Sequence, residues 1–99
     1  SIVKKDGSLE VFDVNKIIKG VRKAINENTV TPQEVEDFAE GVEKYVMNSE
    51  EPVTSKEIGN MILEWLKTKD TLAYVRFASV YKEFKELSDI KKEIESLEK

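Results

Sequence analysis

The 99-residue sequence contains no cysteine and no histidine. Those two absences together remove disulfides, cysteine–histidine zinc sites, thiolate nucleophiles and imidazole general bases. Carboxylate chemistry alone remains, and it needs a paired-acid cleft that short chains seldom build, so a non-catalytic protein is expected. No apolar run approaches the length of a membrane span, and no N-terminal stretch has the layout of a secretion signal. A cytoplasmic protein without membrane contact is therefore expected. Neither a Gly-x-x-x-x-Gly-Lys loop nor a Gly-x-Gly-x-x-Gly fingerprint is present, so any nucleotide would be held by side chains. Internal repeats and low-complexity linkers are missing as well. With 39% hydrophobic residues, the chain has material for one modest core.

What is present is unevenly spread. The formal charge is −4, yet residues 1–23 hold six Lys/Arg against three Asp/Glu. The remainder holds ten against seventeen. A short basic patch on an acidic body suits a small anionic ligand better than a long nucleic acid, so DNA binding by this chain alone is not expected. A chance cluster of solvated lysines accounts for the charge equally well.

Ile2 to Lys5, Asp6-Gly7 and Ser8 to Phe12 read as two short strands around a turn, because Asp-Gly tolerates the left-handed backbone that tight hairpins demand. The register has two solutions. A two-residue loop sets Lys4 opposite Leu9, whereas a three-residue loop with Gly7 in a bulge sets it opposite Ser8. Asp13 is a candidate N-cap for a helix burying Ile17, Ile18, Val21, Ala24 and Ile25, with Lys16, Lys19, Arg22 and Lys23 opposite. Thr31-Pro32-Gln33-Glu34 combines a capping box with proline at the first helical position, and Val35, Phe38, Ala39, Val42 and Val46 form the stripe that follows. Pro52-Val53 can add an extended piece to the hairpin's edge. Thr54-x-x-Glu57 is a second capping box, ahead of Ile58, Met61, Ile62, Trp65 and Leu66. Asp70 can cap a fourth helix, which is apolar nearly all round from Leu72 to Tyr81 and is expected at the bundle's centre. Arg76 inside it needs a carboxylate, a helix end or an anion. Leu87, Ile90, Ile94 and Leu97 make a narrow seam in a charged tail that extends helix four, packs on a partner or frays. The fold class expected is α+β, mainly α: a four-helix bundle capped by a small β-hairpin or three-stranded sheet. Residues 1–86 form the domain and 87–99 the tail.

A phosphate site needs cations and unpaired backbone N–H groups converging on one place. Lys4, Lys5 and Lys16 are the candidates, since a hairpin and the helix it feeds are neighbours, and the helix start near Thr54 and Ser55 can add donors. Glu10 beside them would repel phosphate unless it reads an exocyclic amine or a ribose hydroxyl. Trp65, Phe77 and Phe84 have core spacing, and Met47 and Met61 read as filler. Tyr74 and Tyr81, two turns apart, share a face with hydroxyls available for polar contact.

These residues resemble a known family. Val3-Lys4-Lys5-Asp6-Gly7, with Glu10, Phe12-Asp13 and Lys16-Ile17, is similar to the opening motif of the ATP-cone domain. Ser55-Lys56-Glu57-Ile58-Gly59 and the run from Ala73 to Tyr81 match it too, the latter looking most like the version in the bacterial repressor of ribonucleotide reductase genes. The resemblance spans residues 2–86 in order. It implies a regulatory sensor of ATP or dATP, with Mg2+ as an optional companion, that reports to ribonucleotide reductase or its repressor by changing oligomeric state. Carried over by position, Lys4, Lys5 and Lys16 hold phosphates and Glu10 reads the adenine or sugar. Ile2, Ile17 and Ile58 wall the base, and Ser55, Tyr74, Tyr81 and Lys82 complete the set. Lys5 departs from the family's usual arginine, keeping the charge but losing the bidentate fork. The resemblance favours the three-residue hairpin loop, which puts Lys4 and Glu10 on one face. The implied partners are the adenine nucleotide and either further copies of the chain or a larger regulated protein. The repressor's four-cysteine zinc ribbon and the reductase's catalytic barrel are both missing here. An excised module, which an initial Ser1 fits, or a stand-alone cone acting on another protein is thus expected. The alternative is a degenerate cone that binds no nucleotide and keeps only protein interaction, with the Leu87–Leu97 seam as its docking helix.

Overall fold

The computed structural model describes residues 2–97. Strands β1 (Ile2–Val3) and β2 (Leu9–Glu10) pair antiparallel, with Ile2 opposite Glu10 and Val3 opposite Leu9. Gly7 takes φ +86°, a left-handed value that glycine adopts without strain. The Lys4 N–H donates to the Ser8 carbonyl at 2.8 Å and the Gly7 N–H to the Lys4 carbonyl at 2.9 Å. This is the bulged, three-residue loop, so Lys4 stands opposite Ser8 and on the same face as Glu10. The third strand, β3 (Val53–Thr54), pairs parallel with β1 to give a mixed sheet of order β2-β1-β3. It starts one residue later than Pro52, which has no N–H to offer a sheet.

Each helix start obeys its local chemistry. Helix α1 (Val14–Ala24) is capped by Asp13, whose carboxylate accepts the Asn15 N–H at 3.0 Å. Helices α2 (Pro32–Asn48) and α3 (Ser55–Lys69) each begin with a complete capping box, Thr31 with Glu34 and Thr54 with Glu57. Helix α4 (Thr71–Tyr81) is capped by Asp70 through the Ala73 N–H. The Thr29 hydroxyl also donates to Asp70, at 2.9 Å, which ties the α1–α2 connector to the α3–α4 corner. The core collects Val21, Val30, Val35, Val42, Val53 and Leu66, all almost fully buried. Each contributes about 1.5–3 kcal/mol by leaving water. Phe38 and Trp65 stack at 4.5 Å between α2 and α3, so Trp65 is a packing residue.

Three expectations change. Helix α4 is not central: Ala73, Tyr74 and Ala78 are buried, but Leu72 and Val80 are exposed, because only one side of the helix meets α1 and α3. Met47 is exposed and fills no gap, whereas Met61 packs against the core. The tail neither extends α4 nor frays; residues 82–86 turn, and a fifth helix, α5 (Leu87–Leu97), runs back along α4 of the same chain. Glu98 and Lys99 of the expected tail lie outside the described residues. Arg76 finds a helix end: its Nη1 donates to the carbonyl of Ala24, the last residue of α1, at 3.5 Å. The architecture among the described residues is thus mainly helical α+β, five helices with a small three-stranded mixed sheet. None of these helices is long and apolar enough to cross a membrane.

Candidate functional site

The sheet, the start of α1 and the start of α3 meet at two adjoining recesses. The inner one, about 120 Å³, is lined by Ile2, Phe12, Ile17 and Ile58, with Glu10, Asp13, Lys16 and Ser55 among the residues at its edge. The outer one, about 330 Å³, is lined by Lys4, Lys5, Asp6, Glu10 and Ser55. Glu10 and Ser55 belong to both, so an apolar recess opens directly onto a cationic one. The alternation of β2 and the capped entry into α1 produce this arrangement. Glu10 faces the same side as Lys4, and α1 begins four residues later with Lys16 in its first turn.

The acids in this cleft have different occupations. Asp6 accepts the Ser8 N–H at 2.9 Å and the Ser8 hydroxyl at 2.6 Å, and these bonds hold its carboxyl below the ordinary aspartate range. Asp13 is committed to the α1 cap. Glu10 pairs with Lys16; the hydrogen bond from Lys16, reinforced by its charge, lowers the Glu10 pKa, and Glu10 raises that of Lys16 in turn. Lys4 and Lys5 enter no ion pair among the described residues, and the Lys5 ammonium lies 5.8 Å from the centre of the Tyr81 ring. At the start of α3, the Thr54–Glu57 box engages the N–H groups of Thr54 and Glu57 and leaves those of Ser55 and Lys56 outside it. The cleft can therefore offer an anion three ammonium groups and a helix N-terminus, next to an apolar wall.

Nine of the eleven residues expected from the sequence converge here or at its border. Ile2, Lys4, Lys5, Glu10, Lys16, Ile17, Ser55 and Ile58 line the two recesses. Tyr81 stands at the border, its hydroxyl donating to the Lys56 carbonyl at 3.1 Å. Its ring sits against Gly59, where an added Cβ would overlap it. The structure brings Tyr74 and Lys82 together elsewhere, on Glu93 of α5: the Tyr74 hydroxyl donates at 2.7 Å and the Lys82 ammonium at 2.6 Å. Burial, then the hydrogen bond to Glu93 and the nearby carboxylate charges, push the Tyr74 hydroxyl well above its ordinary pKa. Phe12 and Asp13 line the inner recess although sequence reasoning gave them no binding role, and their place between Glu10 and Lys16 was the available signal. A larger apolar groove, about 400 Å³ and lined in part by Ala24, Phe77, Val80 and Tyr81, lies between α1 and α4; among the described residues its cations are Lys23 and Arg76, so Lys4, Lys5 and Lys16 do not converge there.

A sequence model of the ATP cone domain matches residues 1–87. Among curated proteins, "Transcriptional repressor NrdR" of Kosmotoga olearia is 48% identical over 87 residues, covering 87% of this chain and 55% of that protein. The proteins of that name from a Thermoanaerobacter species and from Clostridium acetobutylicum are 42% and 44% identical over 97 residues. Each covers 97% of this chain, which spans 61% and 64% of their respective lengths. The relatives are named as repressors, not as enzymes, in keeping with a chain that lacks catalytic thiols and imidazoles.

Proposed function

The chain belongs to the ATP-cone domain family, and from that premise we propose that it is a cytoplasmic regulatory module that senses ATP or dATP. The observation that carries this reading is the join of an apolar recess to a lysine-lined one at Glu10 and Ser55. A nucleotide has the same two-part character, a flat base and a polyanion. In this reading Ile2, Ile17 and Ile58 wall the base, and Lys4, Lys5 and Lys16 hold phosphates with the first turn of α3. Glu10 meets the adenine amine or a sugar hydroxyl once Lys16 turns from it to phosphate. Tyr81 borders the site, while Tyr74 and Lys82 stay with α5. Mg2+ would arrive on the phosphates, since no group of three or more acids among the described residues could hold it alone. Because the longer relatives are transcriptional repressors, we read the chain as the sensing part of such a repressor. It would govern genes for ribonucleotide reduction and pass on the nucleotide state through a change of oligomer.

Calorimetric titration tests this reading. Saturable heat with ATP and dATP is expected, and its loss in the Lys4→Ala/Lys16→Ala double variant. Absence of heat with either nucleotide at millimolar concentration would overturn it in favour of a cone that only binds protein. Light scattering with each nucleotide bound then reads the oligomeric response.

A further inference from the structure

Two apolar grooves run along opposite sides of the bundle. One is the groove of about 400 Å³ between α1 and α4. The other, about 490 Å³, lies between α2 and α3. The two seams share no helix. Helix α1 packs on α2 and on α4, α4 packs on α3, and the Phe38–Trp65 stack closes α2 on α3, so the grooves face away from each other. Their charges are opposite as well. Among the described residues the charged lining of the first is Lys23 and Arg76, and that of the second is Glu34, Asp37 and Lys69. None of these enters an ion pair among the described residues. Their shapes also differ. At the first groove Val80 stands 80% exposed. At the second, Gly41 lies beside the flat pair of Phe38 and Trp65, and a Cβ added to it would meet nothing within 4 Å.

We propose that the chain associates head to tail with further copies of itself, the α1–α4 groove of one copy seating on the α2–α3 groove of the next. Val80 enters the space over Gly41, and Lys23 and Arg76 meet Glu34 and Asp37. Charge complementarity selects this occupant. A two-fold pairing of α1–α4 grooves would set Lys23 and Arg76 against their own copies, and a two-fold pairing of α2–α3 grooves would do the same to Glu34 and Asp37. Because the two surfaces differ and lie on opposite sides, every contact leaves one of each free, and the association repeats into a chain or a ring. Apolar lining leaving water drives it, and the charges decide which groove meets which. Loss of translational freedom opposes it, so protein concentration governs it. This contact goes beyond the nucleotide reading and does not rest on it.

Complementation between two blocked variants tests the contact with no nucleotide present. Val80→Glu puts a carboxylate where the α1–α4 groove must meet acids, and Gly41→Trp fills the α2–α3 groove. Val80 is solvated and Gly41 is open to solvent, so each variant melts no lower than the unaltered chain. Each alone is monomeric by light scattering, whereas the unaltered chain passes beyond dimer as its concentration rises. An equimolar mixture retains one intact pair of grooves, the α1–α4 groove of the Gly41→Trp variant and the α2–α3 groove of the Val80→Glu variant. It gives a one-to-one dimer that grows no further. Adding Lys23→Glu to the Gly41→Trp variant weakens that dimer about tenfold, and adding Asp37→Lys to its partner restores it, since opposite charges meet again. A mixture that stays monomeric, a blocked variant that associates alone, or a mixed dimer indifferent to Lys23→Glu overturns the proposal.

Discussion

The molecule contains two lysine–glutamate pairs of similar chemistry in contrasting settings. Lys16 and Glu10 meet at the mouth of the cleft with side chains 69% and 32% exposed and no further partner among the described residues. Lys82 and Glu93 meet between α4 and α5 with 41% and 12% exposed, and the buried Tyr74 hydroxyl donates to the same Glu93 oxygen. Water screens the first pair and stands ready to replace either member, so it adds little to stability. A phosphate can exchange with Glu10 as the partner of Lys16 at small cost. The second pair cannot be exchanged so cheaply, because a carboxylate withdrawn from it strands a buried hydroxyl. Exposure and a third partner, not residue identity, separate a lysine open to exchange from one fixed in place.

The sharpest test of that contrast exchanges the roles. Lys16→Ala should lower ATP affinity about ten- to hundredfold, the worth of one charge-assisted hydrogen bond, without moving the melting temperature. Lys82→Ala should do the reverse, lowering the melting temperature by a few degrees and leaving the titration unchanged. Equal loss of affinity in both variants would erase the distinction. A smaller effect is expected where the two regions touch. Gly59→Ala pushes the Tyr81 ring off its seat on α3, at a cost of about 1–3 kcal/mol by denaturant unfolding. It should also weaken ATP more than AMP, since Lys5 packs over that ring. Uniform weakening of both nucleotides would reduce Tyr81 to a packing role.

The smallest effect is the dependence on acid. The Glu10 carboxyl is lowered by the hydrogen bond and then the charge of Lys16. Burial pushes Glu93 upward, but hydrogen bonds from Lys82 and Tyr74 prevail and leave it below its ordinary value. Each pair therefore contributes stability that is complete above about pH 4.3 and is lost as pH falls through the lowered value. Glu93→Gln should flatten the acid limb of a melting-temperature profile clearly, and Glu10→Gln barely. Equal flattening would mean that the two settings do not differ.

Much of this was legible in the sequence where the chemistry is local. Asp6-Gly7, the Thr31 and Thr54 capping boxes, Pro32 and Asp70 each specify their turn or helix start with atoms no more than a few residues away. The cleft's cations were legible for a similar reason, because a hairpin feeding a helix must place Lys4 and Lys16 in one neighbourhood. The fate of Lys82 was not. It depends on where α5 lies, and the turn that sends α5 back carries no proline or glycine to mark it: Glu83 takes the left-handed position and Asp89 accepts the Lys85 and Glu86 N–H groups. The exposed side of α4 was hidden likewise. An apolar helix announces burial, whereas the neighbours that would provide it are set by the whole bundle.

The sheet beneath the cleft has two residues in each of its three strands. So few backbone bonds, with Leu9 and Val11 in solvent, make the hairpin a part of the molecule that can open on its own while the valine core stays closed. Amide protons such as those of Lys4 and Gly7 would then exchange with water at the pace of this local opening, and those of the inner helices only when the whole chain unfolds. A ligand gripping both the hairpin and the first turn of α3 would slow the fast set and barely touch the slow one. The rigidity it confers would be confined to the surface around its own site.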